Sequence, residues 1–481
     1  MKIMINDKYV RLYKQKCFDN IKNKYPTRDE PYTDKEKIKT TCKTCINLLV
    51  LEFEKECNNI ITLGDLYYFI GNYSIIYNEQ DKDSIIAKKL CKYLFGEITK
   101  HKLVESMDIN ITDDLFSRLF YITKGIDEYI QLYFDNIWNK SKILQLEVYD
   151  NDFYITLIDE KSFNNHKELI EKLSTETFNT SFDDSNEIER YKNIIIEAFG
   201  EIAIHFIDAI FPLTGESNNS AIIDISSIVK KYPDSMFLKG LILSQNNNDL
   251  RQAIFKPNDI NLRTRYRPIL EINVDGNLKY YTTEMMVYEA ISEHISNQIP
   301  FGELPKEWKL NITMSQYAKE QKEKHGKRLE DKMEKFIKKD YTYKRNIKCI
   351  NNINLEKEES NIEGRFVGEI DFIIINVKQK SIFVVDCKYL KLKQIFSLFL
   401  QDKDKFEKDK GYNDKLSYKI NWVENHLSDV AKDFKIKDLS SFNIKGFFVT
   451  DSFTYYSLES KYPIIPIKKL TRFLNRENKE E

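Results

Sequence analysis

The chain has 481 residues, 42% hydrophobic and 31% charged, with 74 Lys and Arg against 75 Asp and Glu. At roughly 100–200 residues per domain, that length predicts two to four domains. The near-zero charge balance excludes a wholly basic nucleic-acid protein and an acidic disordered chain. With Gly 14 and Pro 10 the chain is neither collagen-like nor low-complexity. No apolar run approaches the roughly 18 residues needed to cross a bilayer. Met1 to Lys14 lack the apolar stretch of a signal peptide. A soluble, cytoplasmic protein with no membrane partner is therefore expected. The charge is uneven: residues 301–481 hold 37 basic against 29 acidic side chains, and residues 1–300 hold 37 against 46. The C-terminal part is thus the better candidate for contact with phosphates.

In chain order, residues 1–180 read as a helical region. Asp34 to Lys55 forms one helix and carries Cys42 and Cys45 on adjacent turns. No second cysteine pair has the spacing of a zinc site, so these two read as packing residues. The polar stretch Ser174 to Glu187 predicts a loop or boundary. Residues 181–305 form a second, linker or regulatory region. Apolar residues recur at helical spacing over 189–211, and His205 beside that stripe reads as a packing residue. Arg263-Thr264-Arg265-Tyr266-Arg267 suits either an exposed edge strand or a grip on a phosphate backbone. Asp275-Gly276 between two strand-like runs predicts a hairpin near 271–281, with a helix following over Glu284 to Asn297. Pro300 to Trp308 reads as a connector, and a last domain is expected over 306–481.

From Gln316 to Lys339 a long charged helix is predicted. Strands follow at Tyr341–Ile350, Gly368–Asn376 and Ser381–Tyr389. Leu392 to Phe434 reads as helical with a break near Gly411, then come a strand at Gly446–Thr450, a short apolar segment at Ile464–Ile467 and a final helix. The fold class expected is α+β overall: a mostly helical N-terminal region, then a C-terminal α/β domain whose central mixed sheet is flanked by helices.

The chemistry concentrates in Gly368-Glu369-Ile370-Asp371 and Asp386-Cys387-Lys388, which open and close two apolar strands. Continuous apolar strands are buried on both faces, where a charge is costly unless paired or metal-bound. A hairpin centred between Lys378 and Gln379 pairs residues whose numbers sum to 757. Asp371 then faces Asp386, and Glu369 faces Lys388. Strand period two sets all four on one face. Two carboxylates so opposed suit a shared divalent cation, with Lys388 beside it to orient a water or stabilise developing charge. The pair should leave a pocket open to solvent. Removing Asp386 should relieve repulsion and hold or raise stability without metal. The alternative is a Glu369–Lys388 cross-strand salt bridge, with the aspartates at the solvent rim.

These residues and the element order around them resemble the PD-(D/E)xK nuclease superfamily, the restriction-endonuclease-like fold, over about residues 316–470. The resemblance implies that Asp371 and Asp386 bind Mg²⁺, for which Mn²⁺ substitutes, and that Lys388 assists the attacking water. The Glu that this family often supplies from the preceding helix would be Glu330, in Gly326-Lys327-Arg328-Leu329-Glu330, with Glu334 one turn on as the fallback. The chain departs from the name-giving pattern in having Ile370 before the first Asp. Lys410, Lys415 and Lys419 are candidates to meet phosphates, beside the reading of each as a solvated helix face. The function so implied is a Mg²⁺-dependent endonuclease acting on nucleic acid, DNA before RNA, in restriction or anti-phage defence. A homodimer or larger homo-oligomer, and a partner protein held through the N-terminal region, are further expectations. The alternative is a non-catalytic nucleic-acid-binding or regulatory module that keeps the nuclease fold.

Overall fold

The computed structural model describes residues 8–76, 79, 81–138, 144–158, 185–204, 222–247, 249–255, 266–294, 301–338, 341–359, 365–390, 396–451, 454–458 and 460–476. The Ser174–Glu187 loop (to residue 184), His205 and Arg263 to Arg265 lie outside them. The protein is α+β, and its N-terminal region is helical. None of its described helices is long and apolar enough to cross a membrane.

Two compact units divide at Glu320 and Gln321. The described residues of the regions expected as 1–180 and 181–305 fall together in the first. Its helices include Lys35–Cys57 and Asp113–Trp138. Asp34 caps the former by accepting from the backbone N–H of Lys37 at 2.9 Å. Cys42 and Cys45 are fully buried in that core. The predicted hairpin forms as Ile269–Val274 with Asn277–Thr283. Asp275 at φ 47 and Gly276 at φ 84 make the turn that an Asp-Gly pair favours. The predicted helix over 189–211 is interrupted at Gly200, whose φ is 69. Arg267 corrects an expectation. It is neither an exposed edge residue nor a phosphate grip: it is fully buried, donates to the carbonyls of Lys239 and Ile242, and pairs with Glu307 at 2.7 Å.

The second unit is built on a five-stranded mixed sheet. It takes the end of helix α1 (Ile312–Ile337), then β1 (Thr342–Ile347), β2 (Ile370–Asn376) and β3 (Ser381–Lys388). Helices α2 (Phe396–Glu407), α3 (Tyr412–Asn425) and α4 (Leu427–Phe434) follow, then β4 (Asn443–Thr450), β5 (Ile464–Pro466) and α5 (Leu470–Arg476). The spatial order is β5-β4-β3-β2-β1. β1, β2 and β3 run antiparallel, whereas β4 and β5 add in parallel to β3.

Strand alternation sorts the side chains into two cores. Ile373, Ile375, Ile382, Val384 and Phe448 pack with Leu416, Ile420 and Val423 of α3. Phe372, Ile374, Phe383, Val385 and Phe447 pack with Leu329, Met333 and Ile337 of α1 and Leu470 of α5. Central strands covered on both faces explain why their sequences read as unbroken apolar runs. Gly446 on β4 lets α3 come close, because a Cβ there would stand 2.1 Å from Ile420 Cδ1.

Candidate functional site

The hairpin register is the one that decides the site. Phe372 pairs with Val385 and Asn376 with Ser381, both summing to 757, around a turn at Lys378-Gln379. The next step of that register sets Asp371 opposite Asp386, close enough for the two carboxyls to act on each other's charge. By the two-residue period Asp371, Asp386 and Lys388 share the α3 face.

Asp386 is 1% exposed, so the solvent-open pocket expected there is closed over this carboxylate. Each of its oxygens faces an ammonium. Lys419 Nζ donates to Oδ1 at 2.9 Å, and Lys388 Nζ stands 2.7 Å from Oδ2. The second contact is an ion pair of poor angle, which leaves Oδ2 buried without a hydrogen bond. Lys388 Nζ also sits 5.0 Å over the Tyr412 ring. Asp371 Oδ2 accepts the backbone N–H of Cys387 at 2.7 Å.

The electrostatics follow from this packing. Burial, then the charge of Asp386, pushes the Asp371 carboxyl up to about 7. Burial acts the same way on Asp386, but Lys388 and then Lys419 overcome it and hold Asp386 well below the ordinary carboxylate range. Burial pulls the Lys388 ammonium down, yet Asp386 and Asp371 more than offset it, and the net direction is up. Two carboxylates about 5 Å apart repel by about 3 kcal/mol at an effective dielectric near 20. That is roughly two pK units, enough for one of the pair to keep a proton.

Glu369 is not part of this group. β2 opens only at Ile370, after Gly368 with φ 72, so Glu369 leaves the pleat and lies 3.5 Å from Lys348 instead of facing Lys388. Glu330 and Glu334 are not delivered to the aspartates either. Arg345 shares a face with its partner Phe372, on the α1 side, and gathers Glu334 at 2.7 Å, Asp331 at 2.8 Å and Glu330 at 3.4 Å. Burial raises the Glu330 carboxyl, Arg345 opposes that, and Glu369 adds to it. Among the described residues no group of three His, Cys, Asp or Glu is arranged to hold a metal ion.

Lys410 and Lys415 are exposed, but Lys419 is not a solvated lysine: it is buried at 7% exposure against Asp386. Lys419 was read from the sequence as a phosphate contact, and the structure gives it a carboxylate partner instead, whereas Arg345 was not singled out at all. Lys419 carried a signal, since Leu416, Lys419, Ile420 and Val423 form one apolar stripe at helical spacing. Arg345 carried none. Thr450, opposite Lys388 on β4 and on the same face, is buried with an unbonded hydroxyl.

The donors that a small divalent cation would find here are two carboxyls, Asp371 and Asp386. Burial and the charge of Asp386 push the Asp371 carboxyl up to about 7, and Asp386 Oδ2 is buried without a hydrogen bond. Glu330 does not extend that set. No protein-family model matches the chain, and no curated protein and no solved structure is significantly similar to it.

Proposed function

We propose that residues 321–481 carry a Mg²⁺-dependent phosphodiester hydrolase of PD-(D/E)xK type, with DNA as the substrate. The observation that supports it best is the opposed Asp371–Asp386 pair with Lys388 on the same sheet face. Lys388 and Lys419 both pair with Asp386. Here a second carboxylate is pressed against the first, at an electrostatic cost that a cation would relieve. Asp371 and Asp386 are the residues that would hold the cation, which supplies Lewis acidity and a water of lowered pKa. Asp386 keeps the Lys388 ammonium charged, and β3 holds it at the strand end. There it can donate to a phosphoryl oxygen and stabilise developing negative charge. Cys387 N–H fixes Asp371 in place through Oδ2. The excess of basic over acidic side chains in residues 301–481, 37 against 29, favours a polyanionic substrate.

A second reading is a non-catalytic nucleic-acid-binding module. The observation on its side is that Lys388 and Lys419 neutralise Asp386 without any metal. Incubating the full chain with supercoiled plasmid, and separately with RNA of similar length, separates the two readings. Nicking or linearisation that requires Mg²⁺ or Mn²⁺ supports the hydrolase. Retention of DNA with no cleavage in either metal supports the binding module.

A further inference from the structure

We propose that Lys419 is a resident counter-ion of Asp386 that sets the divalent-cation affinity of the site, an inference that rests on the metal-dependent reading above. A cation shared by Asp371 and Asp386 takes a lone pair from each carboxylate. One Asp371 oxygen is already committed to the Cys387 N–H. Of the Asp386 oxygens, Oδ1 is hydrogen-bonded by Lys419 at 2.9 Å, whereas Oδ2 has only the off-angle ammonium of Lys388.

The two lysines differ in origin. Lys388 rides on β3, two residues from Asp386, and leans over Tyr412. Lys419 reaches the same carboxylate from α3, across the layer boundary, out of an apolar stripe of Leu416, Ile420 and Val423. An aliphatic residue would fit that stripe with no desolvation cost. A buried lysine there is accounted for by its bond to Asp386. The close approach that Gly446 permits places α3 where the bond can form. Cation and ammonium compete for one carboxylate in a site that water screens poorly, so each weakens the other. Lys419 acts through Asp386 and touches no reacting atom in this account. It is a positioning residue that keeps Asp386 ordered and charge-balanced until a cation arrives.

The test is calorimetric titration of the full chain with Mn²⁺, for wild type, Lys419→Met, Lys419→Gln and Lys419→Arg, each first checked for a cooperative thermal melt. Removing the positive charge should tighten Mn²⁺ binding about tenfold or more in Lys419→Met. Lys419→Arg, which keeps the charge, should stay within about threefold of wild type. Lys419→Gln keeps a donor without the charge and decides the matter if the Met variant does not fold. Neutral variants that bind no more tightly than wild type, while wild type binds, overturn the counter-ion role alone. Absence of Mn²⁺ binding in every protein overturns the metal-site reading and this inference with it.

Discussion

Asp371 and Asp386 are chemically alike and opposite in environment. Asp386 has two ammonium partners and stays ionised, whereas Asp371 has a backbone amide and a carboxylate neighbour and keeps its proton up to about pH 7. The expectation that losing Asp386 would leave the metal-free protein as stable therefore transfers to Asp371. Asp386→Asn strands two lysine charges inside the protein and should cost about 3–5 kcal/mol in denaturant unfolding. Asp371→Asn keeps an acceptor for the Cys387 N–H and should stabilise the metal-free protein by about 1–3 kcal/mol at pH 8. The sign follows from linkage. The folded-state pKa of Asp371 lies above the ordinary 3.8, so its contribution is complete below about pH 4 and is lost as pH rises through about 7. Wild type should lose stability relative to Asp371→Asn between pH 5 and pH 8. A constant difference across that range would show that Asp371 is ionised throughout.

At the scale of elements, the β2–β3 hairpin and the α3 packing fix the site. The hairpin was legible because Val377-Lys378-Gln379-Lys380 is a polar break between two apolar runs, and two-residue alternation then dictates who faces whom. Glu369 escaped that logic because alternation holds only inside a strand, and Gly368 turns the backbone just before one begins. Glu330 and Glu334 stand apart from the aspartates for a different reason. Their helix was recognised, but which sheet face it covers is a tertiary fact, and Arg345 claims both carboxylates on the α1 side. The burial of Lys419, named from the sequence only as a phosphate contact, went unread because a lysine counts as polar in any pattern, even where its helical stripe is apolar. The α3 packing makes its own prediction. Gly446→Val would drive a branched side chain into Ile420 and should cost about 1–3 kcal/mol. It should also loosen the Lys419–Asp386 bond. Gly446→Ala should cost less, since the atoms nearest its single methyl belong to side chains and not to backbone. Equal melting temperatures for wild type and Gly446→Val would contradict the close α3–β4 contact.

For the whole molecule, charge and fold divide the labour. Residues 1–300 are net acidic and residues 301–481 net basic, and the candidate site lies in the basic part. DNA affinity of the full chain should fall about tenfold or more between 50 and 200 mM salt, measured by fluorescence anisotropy. A salt-independent affinity would contradict a phosphate-led contact. The central claim is that Lys388 serves catalysis and the fold does not require it. Lys419 remains to neutralise Asp386 in Lys388→Ala, so that variant should melt cooperatively and close to wild type. The decisive measurement is its Mg²⁺-dependent rate of plasmid nicking beside wild type at equal concentration. A loss of about 100-fold or more in the folded variant is the predicted result. A Lys388→Ala protein that nicks as fast as wild type, or a wild type that nicks in neither Mg²⁺ nor Mn²⁺, would contradict it.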